Sequence, residues 1–139
     1  GAPVSLDTRL REWHLGTLRG TPWPEAWDEF DNDAYTPPGG ESGHTFHRRV
    51  NQAWQWLQSC IGESDRPLAV VTHGLFCRAL ARRHLTWPGH ADPPRFSNAS
   101  ITIVDGVAPW RILQVANDDI WSLKNNEENT YASLCADRS

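Results

Sequence analysis

The sequence predicts an α/β domain, a largely parallel sheet with flanking helices. Three observations predict it. "LAVVT", Leu68 to Thr72, is an almost unbroken apolar run with β-branched residues, which suits a strand buried on both faces. An apolar stripe at helical spacing precedes it, and a second amphipathic segment, Gly74 to His84, follows. The full order is then strand, helix, strand, helix and two strands.

Each element has a local reason. In Pro3 to Leu10, Val4, Leu6, Thr8 and Leu10 alternate with Ser5, Asp7 and Arg9, the period of a strand. Gly16, Gly20, Pro22 and Pro24 make the next stretch mostly loop, with a short helix expected from Pro24 to Phe30. After a turn-rich loop, Ser42 is placed to cap a helix whose stripe is Phe46, Val50, Ala53, Trp54 and Leu57. The strand Leu68 to Thr72 and the helix Gly74 to His84 come next. "NASITIVDG" reads as a strand ending in a turn at Asp105-Gly106, and "WRILQVAN" as its hairpin partner. From Lys124 the chain turns polar, which divides it into a domain over 1–123 and a tail over 124–139.

Composition excludes some classes of function. With 139 residues the chain is long enough for one domain with a real core. A net charge of −4 argues against nucleic acid as partner, and no apolar run approaches the length of a membrane span. Cys60, Cys77 and Cys135 have no metal-ligand spacing and read as free thiols in a reducing compartment, hence a cytoplasmic protein. Cys77 reads as a small apolar filler, with a catalytic thiol as the sharper alternative. There is no methionine and no signal peptide, so the opening "GAP" is expected to be a processing or tag scar.

The candidate site is the junction at His73. Ligands of open α/β sheets bind beyond the carboxyl ends of the strands. There, the helix beginning at Gly74 directs backbone N–H groups and a partial positive charge towards an anion such as phosphate. Gly74 has no side chain to block a close approach. A structural histidine at a strand end is the plain alternative.

Four stretches point the same way: "LREWHLGTLRG", "PPGGES", "VVTHGLFCRAL" and "NAS". In order and approximate spacing they resemble the histidine phosphatase superfamily, phosphoglycerate mutase-like branch, from Pro3 to about Asn117. The resemblance implies hydrolysis of phosphomonoesters through a phosphohistidine intermediate, with no metal or other cofactor and a small phosphorylated metabolite as substrate. A sugar phosphate or α-ribazole phosphate fits that class, and a mutase is the alternative within the family. It implies that His73 holds the phosphoryl oxygens, that Glu12 gives and takes the proton, and that Gly74 and Asn98 help to bind phosphate.

The family's opening strand ends in an Arg-His-Gly motif that carries the nucleophile, and no such tripeptide occurs in the sequence. The expectation is therefore a C-terminal portion that lacks the family's first strands. The nucleophile would come from a missing N-terminal segment or a partner chain. A partner chain or second copy would cover the exposed edge of the "LAVVT" strand. The alternative is an inactive fragment that serves as a binding or interaction module.

Weaker signals have plain explanations. His44 and His47 have metal-ligand spacing but no completing carboxylate or cysteine, and read as surface histidines. Arg78 reads as half of an ion pair or as a phosphate ligand. Glu41 lies beside the expected pocket, and Trp13, Trp23 and Trp27 read as aromatic packing under the loops or as stacking surfaces for a substrate ring.

Overall fold

A computed structural model describes residues 3–22, 28–63, 66–87 and 96–116. Two helices form its frame, α1 (Gly43–Gly62) and α2 (Gly74–His84). The Ser42 hydroxyl accepts from the Thr45 amide and caps α1, as its position predicts. The predicted stripe is the buried face: Phe46, Val50, Ala53, Trp54 and Leu57 all point inwards. The basic residues Arg82, Arg83 and His84 occupy the last turn of α2, where the helix dipole favours positive charge.

Between the helices lies an aromatic core. Trp13, Phe30, Phe46, Val50, Ala53, Leu75, Phe76 and Ala79 are buried together. Trp13 stacks on Phe46 with centroids 4.5 Å apart and meets Phe30 edge-on at 5.7 Å. A second contact ties the C-terminal hairpin to the helices: Trp54 stacks on His84 and meets Trp110 edge-on at 5.0 Å.

The sheet differs from expectation. Among the described residues it has two antiparallel strands, β1 (Ile101–Val104) and β2 (Ile112–Ala116). Ile101 pairs with Ala116 and Val104 with Ile112, with a register shift between Ile103 and Val104. This is the predicted hairpin. An isolated parallel bridge joins Thr86 to Arg111.

The large parallel sheet is thus corrected, and its two expected strands fail for different reasons. In the first, Asp7 caps a 3-10 turn at Thr8–Leu10, and the Arg9 amide and guanidinium both bond the Asp7 carboxylate. That local closure takes the backbone out of the strand conformation. Leu6 is then 98% exposed, so the alternation marks no buried face. Leu68 to Thr72 has no ladder partner among the described residues, and Val71 is 90% exposed. An apolar β-branched run becomes a strand only when another backbone pairs with it. Of the predicted helix Pro24 to Phe30, residues 23–27 fall outside the described residues; Asp28–Asp31 forms a 3-10 turn. The polar tail also falls outside them.

Candidate active site

Two loops meet first. Gly16 has φ +55°, a left-handed conformation, and a Cβ there would collide with the Pro38 carbonyl. A Cβ on Gly40 would collide with the His14 carbonyl. Backbone bonds close the same contact: Thr17 N–H donates to Pro38 O at 3.0 Å, and Glu41 N–H to His14 O at 2.8 Å. The "HLG" and "PGGES" glycines therefore let one backbone lie directly on another. Trp13 pins the junction from within, its indole N–H donating to Glu41 O at 2.6 Å.

This junction carries Glu12 to the start of α2. The Glu12 Oε1 accepts from the Phe76 amide at 3.2 Å and from the Trp13 amide at 3.0 Å. Its Oε2 accepts from the Leu75 amide at 3.2 Å. Nearby, the Thr72 hydroxyl donates to Leu10 O at 2.7 Å and ties the approach to α2 against the segment before Glu12. An anion at the first turn of a helix meets both unpaired amides and the positive end of the dipole. Here that anion is the protein's own carboxylate. The amides expected to be open for phosphate are in part engaged by Glu12.

His73 is the N-cap residue of α2, extended at φ −120° and ψ 165°, and its side chain makes no capping bond. It is exposed, as is Gly74, and a Cβ built on Gly74 meets nothing within 4 Å. His73, Gly74 and the Glu12 carboxylate therefore gather at one helix end. Asn98 is exposed in the turn before β1, and among the described residues no bond ties it to that end. A broad open depression lined by Leu6, Asp7, Arg9, Gln52, Gln55 and Trp56 contains none of these four residues.

Other candidates resolve by their surroundings. Burial pushes the Cys77 thiol up to about 11, and the Glu12 carboxylate adds to it. That disfavours the thiolate a catalytic cysteine needs. Cys77 in the folded protein is expected to resist iodoacetamide at about pH 8, where a free thiol reacts readily; rapid alkylation, followed by intact mass, would disprove this. Arg78 bonds Asp31 at 2.7 Å, the plain ion-pair reading.

His44 is exposed, but His47 is not a surface histidine: it is buried beside Trp13 and bonded to Asp33. Residue 47 falls beside Phe46 on the buried stripe. Burial keeps its imidazole below the ordinary value, and Arg83 donates to the same Asp33 oxygen, Oδ1, that His47 meets.

The sequence over residues 1–119 decides the relationship. The model of the histidine phosphatase superfamily (branch 1) matches residues 1–119. The chain belongs to that superfamily. Among its relatives, a glucosyl-3-phosphoglycerate phosphatase of Mycolicibacterium vanbaalenii is 37% identical over 106 residues, covering 63% of this chain and 45% of the relative. A probable phosphoglycerate mutase GpmB of Serratia proteamaculans is 33% identical over 123 residues, covering 79% and 55%. The crystal structure of TTHB049 from Thermus thermophilus superposes with a TM-score of 0.55 at 29% identity, over 86% of this chain and 64% of that one.

The family match corrects one expectation. It begins at the first residue, so the resemblance is not confined to a C-terminal portion with an absent N-terminal Arg-His-Gly region. A nucleophile supplied by a missing segment is likewise unsupported. The chain spans about half the length of the curated relatives it matches. Among the described residues, no helix is long and apolar enough to cross a membrane.

Sequence reasoning missed one group at this site. Arg49 of α1 bonds the backbone of the segment that carries Glu12. The signal was slight: an arginine one turn past Phe46, beside the buried stripe.

Proposed function

We propose that this member of the histidine phosphatase superfamily hydrolyses phosphomonoesters of small metabolites without a metal ion, with Glu12 and His73 as its working groups. One observation carries the proposal: Glu12 reaches across 63 positions to the Leu75 amide, in the first turn of the helix that His73 opens. The relatives, a phosphatase and a probable mutase of phosphorylated small molecules, support the substrate class.

The chemistry follows from the groups. A transferring phosphoryl group needs positioning and charge neutralisation more than covalent help. The open space over Gly74 receives it, the His73 imidazole donates to its oxygens, and Asn98 completes its binding. Water bonds to phosphorus as the bond to the leaving oxygen breaks, and Glu12 in its acid form gives that oxygen its proton. The Glu12 carboxylate so formed takes a proton from the water that has bonded, and the group is restored. Phosphate and an alcohol leave.

The proposal includes a protein contact. Leu68, Val70 and Val71 are exposed, and apolar rows of this kind mark interaction surfaces. A partner chain or a second copy covers them, which sedimentation over a range of concentrations reads for the second copy.

The test is turnover of 4-nitrophenyl phosphate in the presence of a chelator. The wild-type chain is expected to be active, and His73→Ala to lose about 10²–10³-fold, as when a donor to the developing charge is removed. Unchanged turnover in a folded His73→Ala variant would sink the proposal.

A further inference from the structure

Arg49 shows a pattern that neither the helix nor the core requires. Its side chain is 11% exposed and lies over the Phe46 ring. A guanidinium has five N–H donors in a planar fork, and here each has an acceptor. Nε and Nη2 grip the Glu41 carboxylate at 3.2 and 2.6 Å. Nη1 donates to Arg9 O at 3.0 Å and to Arg11 O at 2.6 Å. Nη2 also donates to Glu12 O at 3.3 Å.

The three carbonyls belong to the 3-10 turn and the irregular stretch up to Glu12, which pair with no strand among the described residues. Carbonyls of such a stretch, drawn against a helix, must find donors there. Glu41 acts on the same stretch from its other side: its N–H donates to His14 O, and its carbonyl accepts from the Trp13 indole. The ion pair between Glu41 and Arg49 therefore brackets residues 9–14, and Glu12 is at their centre. Its backbone is held to α1, while its carboxylate is held to α2.

We infer that Arg49 is a positioning residue for Glu12, with Glu41 orienting the guanidinium, because their bonds fix the backbone from which the carboxylate reaches the first turn of α2. The inference rests on the hydrolase reading for its kinetic consequence and on geometry alone for its structural one. Misplacing a reacting group by an ångström lowers turnover about 10²-fold. Lysine is no substitute, since its three donors radiate from one point and cannot serve five acceptors in a plane.

Arg49→Lys in the full chain tests this in two ways. Turnover of an alkyl phosphate, whose leaving oxygen needs a proton, is expected to fall about 10- to 100-fold. Turnover of 4-nitrophenyl phosphate, whose leaving group needs none, should fall much less, and KM should change little. A variant that is merely less folded loses both activities equally, and that result would overturn the inference. In a Glu12→Gln background Arg49→Lys should add almost nothing.

Amide exchange supplies the readout that needs no activity. The Leu75 and Phe76 amides are expected to exchange about tenfold faster or more in Arg49→Lys, with the amides of mid-α2 unchanged. Unaltered exchange at both in a folded variant overturns the inference. If the wild-type chain hydrolyses neither ester, the hydrolase reading fails and exchange alone decides the clamp. If Arg49→Lys does not fold, Glu41→Gln slackens the same fork and is judged by the same two criteria.

Discussion

Glu12→Gln is expected to lower the turnover of an alkyl phosphate about 10²–10⁴-fold while leaving the chain folded. Glutamine is nearly isosteric and keeps one oxygen for the amides of α2. It has no acidic proton for the leaving oxygen and no basic oxygen for the water that follows. Substrate binding depends on His73 and the space over Gly74, so KM should move far less than kcat. The fold should weaken by about 1 kcal/mol, the worth of one hydrogen bond at a half-buried helix end. Steady-state kinetics on alkyl and nitrophenyl esters, with a thermal melt by circular dichroism, separate these effects. If alkyl-ester turnover stays within about twofold of wild type, Glu12 is not the proton donor.

Phe46→Ala should have the largest effect on stability, a loss of about 3–5 kcal/mol. Phe46 is fully buried, stacks on Trp13, and its ring also faces the Arg49 guanidinium. Alanine leaves a cavity that two helices and an indole cannot easily fill. Domains of this size have only about 5–15 kcal/mol in total, so most of the margin is lost. The site should suffer with the fold, because Trp13 adjoins Glu12 and would lose the surface that holds it. Urea unfolding would show a lower midpoint with an unchanged slope. A midpoint shift worth less than about 1 kcal/mol would mean that the Trp13–Phe46 stack is not the centre of the core.

Much of the site is therefore a consequence of packing, and the sequence conveyed it unevenly. The place of His73 was legible because a histidine between an apolar run and an amphipathic segment falls at a helix start whatever surrounds it. Glu12 entered as a candidate through the resemblance of "LREWHLG" and not through any local pattern. Arg49 was not legible, since three of its five acceptors are backbone carbonyls up to 40 residues away, and a carbonyl has no side-chain signature. The absence of one tripeptide does not amount to the absence of a region: the family model weighs a pattern of positions, and it matches residues 1–119.

Alone, the sequence determined what depends on near neighbours: the two helices, the Ser42 cap, the buried stripe of α1 and the hairpin near residue 105. Helical hydrogen bonds and caps close within four residues, so their causes are written side by side. Only the tertiary structure decided whether an extended run becomes a strand, which amides Glu12 occupies, and what Arg49 holds. Those outcomes depend on a backbone arriving from far along the chain, and no local spacing records its arrival.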